Sequence, residues 1–259
     1  MKLPTTALLA TLLASSCSFS ISGNHRVVGK LSGAIVDAQA IDAIQVENHA
    51  GKVAIRACEA PAASVEVEVL LTADRPATDY VRDFAKHVKL ARSGPRLTVT
   101  NRHDSAVDHE DWQLRFVINV PTGMAITIHQ AAGQVDIQLP SAKDVVVDSA
   151  AGSINITIAE ITGKVTADNQ AGEITLAVTK NGPTGGCHLN CTTGTVSLTL
   201  PKGTNGMFDL HATTGDISVA KHYGLETKRS VTSESANGQV GSGGATFYAH
   251  TVTGTVRVR

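Results

Sequence analysis

The 259-residue chain is poor in aromatic residues, which make up 3% of it. The stacking platforms of many sugar-binding and nucleic-acid-binding clefts are therefore scarce. The formal net charge is −1, so the sequence also lacks the surplus of basic residues that nucleic-acid binding requires. Beyond the first residues, no apolar run is long enough to span a bilayer as a helix. These absences exclude DNA and RNA as expected partners.

Cysteine is scarce as well, with four residues in the whole chain: Cys17, Cys58, Cys187 and Cys191. CHLNC (187–191) lacks the second ligand pair of a zinc motif. Two cysteines four positions apart on a straight strand are too distant to bond, unless a local bulge intervenes. Cys187 and Cys191 are therefore predicted to be buried as small hydrophobic side chains.

The common catalytic and cofactor motifs are missing too. The chain has no G-x-S-x-G elbow, no Walker loop and no dinucleotide fingerprint. A polar cluster, NRHDSAVDHEDW (101–112), contains His103, Asp104, Asp108, His109, Glu110 and Asp111. Such side chains can ligate a metal, but a solvated loop between two strands is the favoured interpretation. No catalytic residue, cofactor or metal site is predicted.

The amino terminus is typical of an export signal. Lys2 precedes a short apolar run, ALLATLLA (7–14), and small residues lead to Cys17. The segment resembles a bacterial lipoprotein signal, in which cleavage exposes a cysteine that receives lipid. The resemblance implies a signal peptide at 1–16, lipidation of Cys17 and, because Ser18 follows, the outer membrane. Ordinary cleavage near the same point is the alternative, and residues 17–40 are expected to form a tether.

The rest of the chain repeats one glycine-centred phrase. The glycine recurs at Gly51, Gly133, Gly152, Gly172, Gly194, Gly215, Gly238 and Gly254, and from Gly133 onward the steps are 19, 20, 22, 21, 23 and 16 residues. Apolar residues recur seven and five positions before these glycines and two and four positions after them, with Ser233 and Ser242 around Gly238 as the exceptions. Each copy is thus a strand, a bend and a second strand, with the change of parity placed at glycine.

One such unit cannot bury its apolar face alone, whereas stacked units can. The pattern predicts an all-β, single-domain parallel β-solenoid over 41–259, with rungs of about 20 residues, each pairing with the next copy along the chain. The position three before the glycine is small and mostly polar. It is predicted to form an internal ladder in which side chains bond their neighbours above and below.

The phrase is absent between Gly51 and Gly133, although three segments there still alternate as strands. PATDYVRDFAKHVKLARSG (76–94) has Tyr80, Phe84 and Val88 at every fourth position and predicts a short amphipathic helix, in an insertion at about 74–94, that caps the solenoid. At the other end, Arg257 and Arg259 are expected to protect the last strand from edge-to-edge pairing.

The pattern resembles a bacterial family of extracytoplasmic β-strand-repeat proteins that are named adhesins without an established function. The residues that carry the resemblance are NVPTG (119–123), AAGQVDI (131–137), AAGSINI (150–156), QAGEITL (170–176), TTGTVSL (192–198) and TTGDISV (213–219). The resemblance implies a β-solenoid and supplies no catalytic residues.

The expected function is that of an exported, lipid-anchored, non-catalytic binding or scaffold protein. Its partner would be an unidentified protein or glycan of the surface or envelope, and it would reach the membrane through the N-terminal lipid. It would lie at the outer membrane, facing the periplasm or the cell surface. Two alternatives remain: a polysaccharide lyase or hydrolase acting on envelope glycans, and a periplasmic stress or assembly protein with a protein partner.

Overall fold

The structure, a computed structural model, describes residues 26–35, 41–58, 65–73, 88–101 and 112–259. Thirteen strands belong to one sheet, and the helical content of the described residues is a single 3-10 turn at Lys221–Tyr223. The strands are β1 (Arg26–Ile35), β2 (Ala43–Ala57), β3 (Val65–Ala73), β4 (Val88–Ser93), β5 (Arg96–Asn101), β6 (Trp112–Val120), β7 (Met124–Ile161), β8 (Val165–Asn181), β9 (Cys187–Thr199), β10 (Gly206–Val219), β11 (Lys228–Arg229), β12 (Glu234–Val240) and β13 (Thr246–Val258).

The predicted β-solenoid is confirmed. β2, β7, β8 and β9 follow one another in the sheet and pair in parallel. The glycine at the bend of each copy, which we call the corner glycine, therefore lies beside that of the next copy: Gly51 with Gly133, Gly152 with Gly172, and Gly172 with Gly194. β7 is long because it contains two copies of the phrase, centred on Gly133 and Gly152.

The predicted apolar columns form the core. Val46, Ile128, Val147, Ala167 and Leu189, each five positions before a glycine, are completely buried. The column two positions after the glycine is also buried, and one hydrophobic cluster extends along the stack. Burying each inward Val, Ile or Leu stabilises the fold by about 1.5–3 kcal/mol.

The corner itself requires glycine. In seven rungs this residue has a φ between 107° and 145°, a region that L side chains rarely adopt. A Cβ built on Gly172 would overlap the carbonyl oxygen of Gly152, and a Cβ on Gly194 would overlap that of Gly172. Close stacking of neighbouring backbones therefore excludes a side chain at the corner.

The stretch without the glycine phrase still supplies a rung. β5 pairs in parallel with the first half of β2, and β6 with its second half. Leu97 and Val99 extend the columns before the corner, and Phe116 and Ile118 extend those after it. Residues 102–111, which connect the two halves, lie outside the described residues. On the other side of β6 the sheet continues with β3, which pairs with β6, and then with β1, which pairs with β3. Both pairings are antiparallel.

The order of the last rungs differs from the prediction. β13 lies between β9 and β10 and pairs in parallel with both, so that Gly254 lies between Gly194 and Gly215. The expectation that Arg257 and Arg259 protect the edge of the stack is therefore wrong. Phe208 does share a column with Val145 and Val165, but Cys187 and Phe247 intervene.

The copy assigned to Gly238 is also wrong. This glycine lies in β12, which pairs with β10 in antiparallel fashion and places Gly238 opposite Phe208. Val231, expected in an inward column, is 98% exposed. A backbone that runs in the opposite direction cannot continue the parallel columns, so this segment is not a rung of the solenoid.

Two expectations for the amino-terminal half need correction. The predicted helix is wrong over Val88–Ser93, which is β4 in an antiparallel hairpin with β5. Half-buried Val88 and Leu90 alternate there with exposed residues, and a spacing of four positions fits a strand as well as a helix. Residues 74–87 lie outside the described residues. Arg26–Ile35, assigned to an irregular tether, instead forms β1.

Candidate binding groove

The residues singled out from the sequence as candidate sites lie mostly outside the described chain. This holds for Cys17 with its signal segment and for residues 102–111 of the polar cluster. Within the described residues, no group of three or more His, Cys, Asp or Glu side chains is placed to hold a metal ion. Among the described residues, the features that could bind a partner lie on the solenoid surface.

Cys187 and Cys191 occupy the positions predicted for them. Both are buried and unbonded to another cysteine. Burial raises the pKa of the Cys187 thiol from its ordinary value of 9.0 to about 12, so this side chain remains neutral and inert at physiological pH. Cys191 donates from Sγ to the Gly172 carbonyl at 3.6 Å, a polar role that a hydrophobic side chain would not have.

The internal polar ladder exists, but its hydrogen bonds run mainly to the backbone. We call it the corner ladder; it consists of Asn101, Asn48, Gln130, Ser149, Asn169, Cys191, Thr251 and Ala212. Gln130 donates to the Gly51 carbonyl at 2.9 Å, and Asn169 donates to the Gly152 carbonyl at 2.9 Å. Gln130 and Asn169 thus each provide a partner for the glycine carbonyl of the neighbouring rung, which a buried carbonyl requires.

The amide side chains of the ladder are incompletely bonded. All four amides are at least 95% buried: Asn48, Asn101, Gln130 and Asn169. Asn101 donates to Asn48 Oδ1 at 3.1 Å. The atoms left without a partner are Asn48 Nδ2, Asn101 Oδ1, Gln130 Oε1 and Asn169 Oδ1. Leaving such atoms unpaired is costly, so they mark a place where water or a ligand can supply partners.

These amides line an open groove of about 950 Å³ beside the corner, which we call the corner groove. Its walls are outward side chains that lie four and two positions before the glycines, and its near end is formed by β4 and β5. At about 4.8 Å per rung, the six rungs from β5 to β9 give it a length of roughly 24 Å. The lining residues outside the ladder are Glu47, His49, Lys89, Thr100, His129, Ala131, Asp148, Ala150, Asp168, Gln170, Asn190 and Thr192.

The corner groove carries more negative than positive charge. Its carboxylates are Glu47, Asp148 and Asp168, and Lys89 is its lysine. His129 Nδ1 lies 2.8 Å from Asp148 Oδ2. Asp168 is paired in register with Asp148, and the described residues provide no hydrogen-bond or ion-pair partner for it. Like charges directly opposite on neighbouring strands repel, so a positively charged or hydrogen-bond-donating ligand would relieve this pair.

A second surface feature lies farther along the same outer face. His188, Tyr248, His250 and His211 form a ring cluster across β9, β13 and β10. The His188 and Tyr248 rings stack at 4.4 Å with an angle of 5° between their planes, and the His211 and His250 rings lie 5.3 Å apart. Burial and the neighbouring His211 and His188 lower the pKa of His250, whereas Asp209 acts in the opposite direction.

The residue pattern could have indicated the corner groove but not the ring cluster. The groove residues occur at fixed offsets before each glycine, so the outer position four before the glycine could have been read as a column: Glu47, His129, Asp148, Asp168 and Asn190. The ring cluster could not have been found in this way, because it depends on the insertion of β13 between β9 and β10.

Among the described residues, no helix has the length and apolar character needed to cross a membrane.

Comparison with known proteins agrees with the architecture. No curated protein matches the sequence. A solved structure provisionally named a cell adhesion protein, from Clostridium sporogenes, has a TM-score of 0.51 at 12% identity over 88% of this chain and 97% of that chain. This likeness shows the shared fold.

Two other solved structures with the provisional name of adhesin are less similar. The Bacteroides fragilis protein has a TM-score of 0.36 at 9% identity, covering 89% of this chain and 97% of that one. The Parabacteroides distasonis protein has a TM-score of 0.28 at 11% identity, with the same two coverages of 89% and 97%. The Toastrack DUF4097 family model matches residues 30–259. With this match over most of its length, the chain belongs to the Toastrack DUF4097 family.

Proposed function

We propose that the protein is an exported, non-catalytic binding protein that holds an extended glycan in the corner groove. The observation that carries the proposal is the groove itself, an open channel of about 950 Å³ lined by carboxylates, amides, hydroxyls and imidazoles. Such side chains are suited to the hydroxyl and amino groups of sugars, because each can donate or accept directed hydrogen bonds. The rungs repeat at about 4.8 Å, a spacing comparable to the length of one pyranose unit.

The charges in the groove narrow the ligand class. Asp148 and Asp168 lie side by side, and Lys89 lies on β4, at the end of the groove that β4 and β5 form. A glycan with amino groups would place positive charge beside this pair of carboxylates. We therefore expect a chain of amino sugars to bind more tightly than a neutral chain of equal length.

The test compares hexamers of chitosan and of β-1,4-linked glucose by isothermal titration calorimetry. Asp168→Asn keeps the size of the side chain and removes its charge, and should weaken binding of the chitosan hexamer about tenfold, near 1.4 kcal/mol. Glu173→Gln is the matched control, since it makes the same charge change on β8 but on the other side of Gly172. The control should bind like the wild type.

Three outcomes count against parts of the proposal. Failure of both hexamers to bind would remove glycans of these types as ligands and favour a protein partner. If Asp168→Asn and Glu173→Gln weaken binding of the chitosan hexamer equally, the ligand does not bind in the groove. New reducing ends or unsaturated products after incubation would favour the polysaccharide hydrolase or lyase alternative.

We further propose that lipidation of Cys17 anchors the protein at the outer membrane. The support is the signal-like segment that precedes this residue. Cys17→Ala should release the protein into the soluble fraction, and an unchanged membrane fraction would contradict the anchor. Protease treatment of intact cells then distinguishes the two orientations, because a periplasm-facing protein survives and a surface-exposed one is cleaved.

A further inference from the structure

β13 lies between two strands, β9 and β10, that precede it in the chain. β9 and β10 form the two walls of a slot, and β13 fills it with parallel pairing on both sides. Its inward side chains complete the core: Phe247, Ala249, Thr251, Val256 and Val258 are each at most 1% exposed. The slot is therefore complementary to a strand with these features.

β13 is joined to the rest of the fold by a glycine-rich connection. Residues 241–245 read GSGGA, and Gly241, Gly243 and Gly244 have positive φ. Gly241, Ser242 and Gly244 are exposed. Glycine and serine make a chain segment flexible, so this connection can change direction at low conformational cost.

We infer that β13 is an exchangeable strand, and that two copies of the protein associate when β13 of each fills the slot between β9 and β10 of the other. All contacts of β13 with its neighbours are identical in the monomer and in the exchanged dimer. The two states differ in the path of residues 241–245 and in the entropy of association. Exchange is accordingly favoured where copies are concentrated.

The repeated columns assist the exchange. β9 and β10 present to β13 a glycine corner and inward columns like those of the other rungs. An incoming strand therefore meets a matching register regardless of the chain that supplies it. The corner groove contains no residue of β13, so this inference is independent of the proposed glycan site.

A disulfide between two chains tests the exchange directly. Thr193 on β9 and Thr253 on β13 are exposed and paired in register, which places their Cα atoms within the range of about 4.4–6.8 Å found in disulfides. Thr193→Cys and Thr253→Cys are made in separate chains, both with Cys17 and Cys58 replaced by serine. The two proteins are mixed, unfolded in urea, refolded together and oxidised.

We expect a covalent dimer on a non-reducing gel, in an amount that rises with the concentration during refolding. Thr175→Cys replaces Thr193→Cys in the control mixture, because Thr175 lies on β8, which does not pair with β13. That mixture should give no more dimer than each single variant gives alone. Light scattering of the refolded wild-type protein measures the dimer without any disulfide.

Shortening the connection provides a second variant. Deleting Ser242 and Gly243 makes it harder for β13 to return to its own slot and should increase the dimer fraction by at least several-fold. The inference is overturned if the wild type and the deletion variant both scatter as monomers at every concentration. It is equally overturned if dimers form while the mixed single-cysteine variants yield no more covalent dimer than the Thr175→Cys control.

Discussion

The carbonyl oxygen of each corner glycine occupies the space where a Cβ of the next corner residue would lie. For Gly172 that oxygen belongs to Gly152. A substitution here therefore combines two costs, an unfavourable φ and a collision with backbone. The chain also provides the means to separate them, because Gly244 has almost the same φ, 128° against 129°, and no atom lies within 4 Å of the place that its Cβ would take.

We predict that Gly172→Ala destabilises the protein far more than Gly244→Ala. The strained φ should cost about 1–3 kcal/mol in each, and the collision adds to this only at Gly172, because the rungs must separate to admit the methyl group. Urea unfolding of the two variants measures the difference. Equal losses of unfolding free energy would show that the rungs are not stacked closely at the corner.

Because of His250, the stability of the folded protein depends on pH. Its pKa is lowered from the ordinary value of 6.5, first by burial and then by His211 and His188. The unfolded chain therefore takes up the proton at a higher pH than the folded protein does. Stability contributed by this residue is present above pH 6.5 and is lost as the pH falls through the folded-state pKa.

We predict that His250→Gln makes the free energy of unfolding decline less steeply between pH 6.5 and more acidic pH. His222→Gln is the control, because His222 is exposed at the 3-10 turn and outside the ring cluster. Urea unfolding at a series of pH values gives the slopes. A slope unchanged by His250→Gln, or changed equally by the control, would contradict the role of the cluster.

At the scale of elements, a side chain covers the edge of β10 beyond Ala212, where β12 no longer pairs with it. Glu234, buried at the start of β12, accepts a hydrogen bond at Oε2 from the backbone N–H of Ile217 at 2.6 Å. Arg229 of β11 lies 3.1 Å from Asp216 beside it. An N–H group that is bonded to a carboxylate cannot pair with a strand of another molecule, which is a means of avoiding edge-to-edge aggregation.

We predict that Glu234→Leu lowers the free energy of unfolding by about 1.5–3 kcal/mol, the value of a hydrogen bond to a charged acceptor, and promotes aggregation. Glu234→Gln retains an acceptor oxygen and should recover part of the stability. Chemical denaturation and light scattering provide the two readouts. If Glu234→Gln is no better than Glu234→Leu, the contact with Ile217 is not the source of the effect.

The elements also show how far the sequence could predict the fold. Columns through Val46, Ile128 and Val147 could be assigned because a period of two on each side of a glycine leaves one arrangement that buries them. The order of the last rungs could not, since all columns are alike and Phe247 fits beside Cys187 as well as Phe208 does. Periodicity specifies what a rung contains, but not which rung is its neighbour.

The candidate site was predictable to a smaller extent. The corner ladder was expected, but its bonds to glycine carbonyls depend on the direction in which each carbonyl points at the corner, which no residue pattern encodes. The groove was not predicted, because residues such as His129, Asp148 and Asp168 share an offset from the glycines but form one surface only when the rungs are stacked. The false copy at Gly238 did carry a warning in its weak columns, where serine replaces apolar residues at Ser233 and Ser242.

At the scale of the whole molecule, the stack has nearest-neighbour contacts, and such proteins open most readily at their ends. The last residues of a chain usually fray. Here the last strand is internal, with β9 on one side and β10 on the other. Position in the sequence and position in the stack therefore lead to opposite expectations for β13.

We predict that amides of Thr246–Val258 exchange hydrogen as slowly as those of β9, and more slowly than those of β11 and β12 at the end of the stack. Hydrogen exchange followed by mass spectrometry of peptides from these strands measures the order. The amides of β8 provide an internal reference for a central rung. Fast exchange throughout Thr246–Val258 would indicate that the strand lies at an edge.

The internal position of β13 also affects the time at which the protein can fold. Because synthesis delivers the chain from its amino terminus, β13 arrives after β10, β11 and β12, although it lies inside the sheet between β9 and β10. The earlier rungs can assemble as they appear, but completion of the sheet waits for β13. A product truncated before Thr246 would lack this interior strand, so it could not complete the sheet.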